Sequence, residues 1–337
     1  MKAPNNWERE DYYLDSIGDE WMLNLIEIQH ELSQATHCFF DSIGFKTMYL
    51  PVTTGSISSP MGLGSDSLPV KIKLHGIETY LADSMQFLLE YGCRLSNSGT
   101  YYLMPSFRGE QSDNRHLCQF YHSECEIIGT LEDVMRIAED YIRFITKHIV
   151  EKLGDKLVER VGTIQHLLDL VNDETEFLKL TFDEVEEFLM KFEDSNLLIK
   201  NENSIRFITS LGEQRLLQIK GPKPIWITHY DYLSVPFYQA FTDDRKYAKN
   251  ADLIFGIGET IGSGERHVSI RQIEESLKLH QVNPAEYDWY IKMKEKFPLN
   301  TSGFGMGTER FILWILKHND IRDCQILIRE NGKALNP

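Results

Sequence analysis

Three glycines at alternate positions, Gly303, Gly305 and Gly307, run into Thr308-Glu309-Arg310 and then an apolar stretch, residues 311–316. Side chains alternate across a strand, so all three glycines bare the same face. With no Cβ on that face, another group is able to approach the backbone closely. The turn into the following helix brings backbone N–H groups and Arg310 to one place, which suits an anion such as a nucleotide phosphate. Taken alone, the stretch reads equally as a Gly-rich strand before a buried helix with a surface arginine.

Two further stretches fit the same kind of site. Residues 107–120, FRGEQSDNRHLCQF, read as a strand, a polar loop and the start of a second strand. Arg108 and Arg115-His116 flank the loop, and Phe120 adds an aromatic face. Chemistry alone leaves open a site for a polyanion with a flat ring, or a solvated charged loop. Residues 251–266, ADLIFGIGETIGSGER, carry Asp252 and Glu259 where a strand ends and a Gly-rich turn begins. Two carboxylates beside a triphosphate are what Mg²⁺ requires, since it binds one or two carboxylates plus phosphate oxygens. A plain turn is the other reading of GIGETIGSG.

In order, these stretches resemble the motifs of the class II aminoacyl-tRNA synthetases, aspartyl/asparaginyl branch. GFGMGTERFILWIL is similar to motif 3, and the IRD after it to that branch; residues 107–120 are similar to motif 2, and FFDSIGFKTMYLP (39–51) to motif 1. Matching stretches run from about residue 25 to about residue 328. The resemblance implies an α+β fold, an antiparallel β-sheet flanked by helices, with a mainly helical insertion between motifs 2 and 3. The expected division is a lead-in (1–20), a catalytic core (21–150 and 221–337) and an insertion (151–220).

It also implies roles. Arg108 would meet the α-phosphate of ATP, Arg115 and His116 the γ-phosphate end, Phe120 the underside of the adenine and Glu110 its amino group. Asp252 and Glu259 fall on the metal positions, and Arg310 joins Arg108 in neutralising charge. Ser84 and Gln86 match a Ser-x-Gln pattern whose glutamine contacts the amino acid, although Met85 departs from the usual residue between them. Arg266 falls on the arginine that holds the amino acid's side-chain carboxylate or amide. Gln119 stands where the family usually has Glu. Aspartyl enzymes place a lysine where this chain has Leu89, and Glu124 in HSECE is able to accept from an amide NH₂. An acid without that lysine favours a neutral amide over a carboxylate, because a mispaired buried charge costs several kcal/mol, roughly.

Periodicity predicts a helix over 21–43 ended by Gly44, a strand over 45–51, a mobile Ser/Thr/Gly loop over 53–68, a strand over 69–75, a helix whose first turn holds Ser84 and Gln86, a strand over 100–104 and a helix over 131–150. The acidic run 183–187 reads as a solvated helix face. In the family, the first helix and strand form the interface of a homodimer.

The formal net charge is −16, which makes the chain a poor generic nucleic-acid binder. About twenty residues precede the first long helix, too few for the five-stranded anticodon-binding barrel of asparaginyl-tRNA synthetases. Charge and length together lead to an expectation of a freestanding catalytic core that does not take tRNA. Five scattered cysteines without a CxxC pair suggest free thiols in a reducing compartment. There is no signal peptide and no apolar run long enough to span a bilayer, so the cytoplasm is the expected location. The reading is an AMP-forming ligase that adenylates asparagine or a close analogue for a non-tRNA acceptor. An aspartate-to-asparagine synthetase using ammonia, a truncated tRNA-charging enzyme and a non-catalytic binding paralogue are the alternatives.

Overall fold

The structure is a computed structural model that describes residues 3–4, 7, 9, 11–60, 62–64, 67–192, 196–221 and 223–333. Met61, Ser65 and Asp66 of the predicted loop, parts of the lead-in and the last four residues lie outside the described residues. In chain order, α1 (Tyr12–Asp15) and α2 (Glu20–Ser42) precede the short strands β1 (Lys46–Thr47) and β2 (Thr53–Thr54). The hairpin β3 (Val70–Leu74) and β4 (Ile77–Leu81) leads to α3 (Gln86–Ser96), then to strands β5 (Thr100–Phe107) and β6 (Gln119–Ile128). Next come α4 (Leu131–Val161), α5 (Gln165–Asn172), β7 (Leu178–Thr181), α6 (Phe182–Leu189), β8 (Leu198–Lys200), β9 (Arg206–Ile208) and α7 (Ser210–Lys220). Strands β10 (Ile225–Thr228), β11 (Asn250–Phe255) and β12 (Gly258–Glu265), helices α8 (Ile270–Leu279) and α9 (Asp288–Lys296), strand β13 (Thr301–Gly307) and α10 (Thr308–Ile315) complete the chain.

Eight strands form one sheet in the order β1-β5-β6-β13-β12-β11-β10-β7. All internal pairings are antiparallel; only the edge strands β1 and β7 join in parallel. This is the α+β sheet expected. Helices α2 and α4 cover one face through Leu25, Ile28, Leu32, Phe40, Ala138, Ile142 and Ile145, which meet Tyr101, Phe304 and Met306 from the sheet. The apolar spacing of α2 buries that stripe, and Asp19 starts the helix by accepting from the Met22 N–H at 3.1 Å. Gly44 at φ +80° turns the chain out of it, as predicted.

Several expectations need correction. The strand predicted over 45–51 is only Lys46–Thr47, because this edge pairs with β5 and is soon left without a partner. Ser84 precedes α3 instead of lying in its first turn; its Oγ accepts the Gln86 N–H at 3.1 Å. Strand β5 runs through Pro105 to Phe107, which an edge-facing proline permits only where no ladder N–H is needed. The boundary expected at residue 151 falls inside α4, since Leu153 and Leu157 extend the same buried stripe. Strand β7, also within 151–220, is part of the main sheet. The acidic run of α6 is not simply solvated: Arg206 pairs with Asp183 and Glu186, and with Asp231 beyond them.

Candidate active site

Strands β6, β13 and β12 lie side by side, so the glycines of β13 open a floor between the carboxylates of β6 and the turn of β12. Gly303, Gly305 and Gly307 pair with Glu126, Glu124 and His122 of β6. A Cβ at Gly305 would sit 3.0 Å from Glu124 Oε1, and one at Gly303 would sit 2.7 Å from Arg266 Nη2. The bare face inferred from sequence is therefore filled by side chains from neighbouring strands.

Two cavities meet over this floor. One, about 120 Å³, is lined by Arg108, Arg115, His116, Phe120, Glu259 and Arg310, among others. The second, about 160 Å³, is lined by Ser84, Gln86, Glu124, Arg266, Ser58 and Tyr238, among others. Arg108, His122, Glu259 and Gly305 line both. Glu110 lines neither, although its Oε2 is buried without a hydrogen-bond partner.

In the first cavity the Arg108 guanidinium lies 5.7 Å from the centre of the Phe120 ring. Arg310 donates through Nη1 to the backbone carbonyl of Glu259. Burial lowers the Arg310 pKa, and Arg108 and Arg115 add to the effect against the pull of Glu259. His116 sits exposed at the rim, its ring Nδ1 3.0 Å from Asp113 Oδ1. Asp252 and Glu259 face each other across Gly262, whose Cβ would lie 3.7 Å from Asp252 Oδ1 and 3.1 Å from Glu259 Oε1. Burial and the charge on Glu259 push the Asp252 carboxyl well above its ordinary range, against a hydrogen bond from Tyr230, and a cation beside the two carboxylates would offset their repulsion. Among the described residues, no group of three or more His, Cys, Asp or Glu side chains is placed to hold a metal. Two hard oxygen donors fit Mg²⁺ on condition that phosphate and water complete its shell.

Paired charge lies at the second cavity's lining residue Arg266 and behind its lining residue Gln86. Arg266 Nε lies 3.1 Å from Glu126 Oε1 and its Nη2 2.9 Å from Oε2, both side chains buried. Lys294 of α9 lies 2.8 Å from Glu90 Oε2, also buried. Burial, with Glu90 nearby, raises the Glu126 carboxyl to about 7 against the pull of Arg266. Glu124 accepts from Ser84 Oγ at 2.6 Å and from the Tyr102 hydroxyl, with His122 Nδ1 3.0 Å away. Burial raises its pKa, but His122 and those hydroxyls outweigh it and hold the carboxyl below its usual range. Gln86 donates to Glu90 at 2.7 Å, while its own Oε1 is buried without a partner. Leu89 is buried in a separate cluster with Ala82, Met85 and Tyr102. Over the cavity, Asp83 accepts the backbone N–H groups of Ser58 and Ser59 at 2.9 and 2.7 Å, and Trp289 donates to Ser56 at 2.8 Å. The described part of the loop is thus tied down.

Sequence reading missed Glu126, Glu90, Lys294 and Glu213. Glu126 was in reach: it stands two residues from Glu124 on one strand, hence on the same face. Lys294 and Glu213 carry no local signal. Glu213, on α7, lies 3.4 Å from Arg115 and receives the Glu259 backbone N–H; burial and Glu259 raise its carboxyl to about 7.

Residues 5–330 match the family described as tRNA synthetases class II (D, K and N), and the chain belongs to that family. It is 27% identical to the asparagine–tRNA ligase of Legionella pneumophila (strain Lens), over 91% of this chain and 70% of that protein. The asparagine–tRNA ligase of Xylella fastidiosa is 29% identical with the same coverage. The fold is shared with the asparaginyl-tRNA synthetase of Pyrococcus horikoshii complexed with asparaginyl-adenylate: TM-score 0.88, 20% identity, 100% of this chain and 76% of that one. The aspartyl-tRNA synthetase of Entamoeba histolytica gives a TM-score of 0.73 at 19% identity, over 94% of this chain and 60% of that one. The protein is therefore an asparaginyl/aspartyl-tRNA synthetase-like ligase of the AMP-forming type. The expectation that tRNA is not a partner gains no support, because the relatives are named as tRNA ligases. Among the described residues no helix is long and apolar enough to cross a membrane.

Proposed function

We propose that this chain activates asparagine with ATP, forming asparaginyl-adenylate and pyrophosphate, and passes the asparaginyl group to an acceptor other than tRNA. The observation that carries the choice of asparagine is that Arg266, which lines the amino-acid cavity, is already paired with Glu126, while Lys294 lies behind the lining residue Gln86 and is paired with Glu90. With Arg108 engaged by the α-phosphate in this reading, a side-chain carboxylate would meet in Arg266 a charge that is already matched, at a cost in desolvation that its attraction does not recover. An amide is neutral, and its NH₂ has acceptors in Glu124 and the unpartnered Gln86 Oε1.

Activation is attack of the amino acid's carboxylate oxygen on the α-phosphorus, with loss of pyrophosphate. No protein nucleophile takes part; the chain positions the two reactants and neutralises charge. Arg108, shared by both cavities, would meet the α-phosphate, Arg310 would offset the developing charge, and Phe120 would carry the adenine. Arg115 and His116 would serve the far phosphate end, and Glu110 the adenine amino group. Asp252 and Glu259 would hold Mg²⁺, which supplies further neutralisation of the phosphates. A homodimer through α2 and β1 belongs to the same proposal; exposed Leu23, Ile26 and Tyr49 on that side support it.

The net charge of −16 supports a non-tRNA acceptor. The names of the relatives favour a second reading, in which asparagine goes to tRNA. The test is amino-acid-dependent ATP–pyrophosphate exchange with all standard amino acids, followed by AMP release with tRNA, ammonia and small amines. Exchange with asparagine and no tRNA charging is the expected result. Charging of tRNA would replace the acceptor proposed here, and preference for aspartate with ammonia would overturn the choice of substrate.

A further inference from the structure

The helix α7 belongs to the segment that sequence assigns to an insertion, yet it delivers one carboxylate into the phosphate end of the site. Its position is strongly determined. Thr209 caps the helix by accepting the Gly212 N–H at 3.1 Å, and its own backbone N–H bonds Leu197 at 3.0 Å. Gly212 packs so closely on Leu197 and Ile208 that a Cβ there would lie 2.9 Å from the Ile208 side chain. Leu216, one turn on and on the same helix face as Glu213, is buried against Ile225, Ile227 and Ile254 of the main sheet.

Glu213 meets two parts of the site from this fixed base. Its Oε2 lies 3.4 Å from Arg115 Nη2, and each side chain is only 15% exposed. It also receives the backbone N–H of Glu259. The turn between the two is shaped to let the carboxylate in: Gly258 has φ +139°, and a Cβ there would clash with Glu213 and lie 2.9 Å from Arg115 Nη2.

This contact answers a physical problem. Arg108, Arg115 and Arg310 gather round one cavity and repel one another. Arg310 is on α10 and Arg108 sits at the base of the β5–β6 loop, its backbone N–H bonded to the Cys118 carbonyl at 2.9 Å, whereas Arg115 lies further into that polar loop and is the one most free to swing away into water. We infer that Glu213 is a positioning residue for the nucleotide: it holds Arg115 and the Glu259 turn in the geometry that receives the distal phosphates of ATP. The inference rests on the nucleotide reading of this cavity. It gives the 151–220 segment a part in binding ATP, through one side chain that touches the arginine and not the amino acid.

The experiment titrates Mg²⁺ with a non-hydrolysable ATP analogue into the full chain as wild type, Glu213→Gln, Glu213→Asp, Arg115→Ala and Glu213→Gln/Arg115→Ala. Gln keeps the shape of Glu213 and removes its charge. The expected result is a three- to tenfold weaker Kd for the Gln variant, roughly the cost of ordering one long side chain on binding. The Asp variant falls between it and wild type. In the Arg115→Ala background the same change has no further effect, because the two residues act as one unit. Asparagine binding without nucleotide stays at the wild-type value. An unchanged Kd in the Gln variant, a loss of the same size in both backgrounds, or a parallel loss of asparagine binding each overturns the inference. Wild-type protein that binds no nucleotide would overturn the proposed function as well, and the wild-type titration alone distinguishes that case.

Discussion

Arg266 and Glu126 face each other through two hydrogen bonds, Nε to Oε1 at 3.1 Å and Nη2 to Oε2 at 2.9 Å, in the floor of the amino-acid cavity. Both are buried, and neither is compensated elsewhere to the same degree. Removing one partner leaves a charge in a low-dielectric site, whereas removing both leaves a packing change. Arg266→Leu is therefore expected to lower unfolding free energy by about 3–5 kcal/mol, and Arg266→Leu/Glu126→Leu by less than the single change. Urea titrations of the two variants check the order. Amino-acid-dependent exchange is expected to vanish in both.

Gly303→Ala places a methyl group against this pair. Its Cβ would lie 2.6 Å from the Cys125 carbonyl and 2.7 Å from Arg266 Nη2, and the carbonyl belongs to a central strand that does not give way. The expected outcome is a loss of about 1–3 kcal/mol in stability, with KM for the amino acid raised more than KM for ATP. Steady-state exchange kinetics with each substrate varied in turn measure the difference.

Arg108, directly after β5, and Arg310, on α10, both line the first cavity, and Arg108 lines the second as well. Under the proposed reaction, replacing either with Ala would remove a fixed positive group from the place where charge would develop on the α-phosphate. Activity in exchange is expected to fall about 100- to 1,000-fold for each, with the amino-acid Kd changed by far less for Arg310→Ala, which lines the phosphate cavity only. Equilibrium titration alongside the exchange assay separates the two effects. Glu259→Gln is expected to raise the Mg²⁺ concentration needed for half-maximal exchange.

Acid lability has an identifiable source in His267. The ring is 1% exposed, packed on Phe241, and 3.2 Å from the Tyr232 hydroxyl. Burial, reinforced by Lys294 and His280, lowers its pKa to about 3. The ring is neutral in the folded chain and titrates near 6.5 when unfolded. Its contribution is thus complete above pH 6.5 and is lost as pH falls toward 3, by about 1.4 kcal/mol per pH unit. Between pH 7 and pH 5, stability should fall about 2 kcal/mol further in wild type than in His267→Gln. Unfolding curves at the two pH values give that difference directly.

What sequence alone determined was set by local periodicity and by chemistry within single stretches. The alternating glycines of residues 303–307, the arginine-flanked hairpin with Phe120, and the carboxylates on either side of the Gly256–Gly258 turn were all legible, because residues on one strand or turn have few ways to sit relative to each other. The α2 stripe and its end at Gly44 were legible for the same reason. The length of α4 was not, since charged residues beyond 150 mask the buried Leu153 and Leu157 that carry the helix on. Tertiary structure alone decided the charge balance of the site. Glu126 meets Arg266 across 140 residues of chain, and Arg115 meets Glu213 across 98. No spacing rule relates such positions: the strand order β6-β13-β12 and the packing of α7 against the sheet bring them together. A buried charge acquires its meaning only from the partner that folding places beside it.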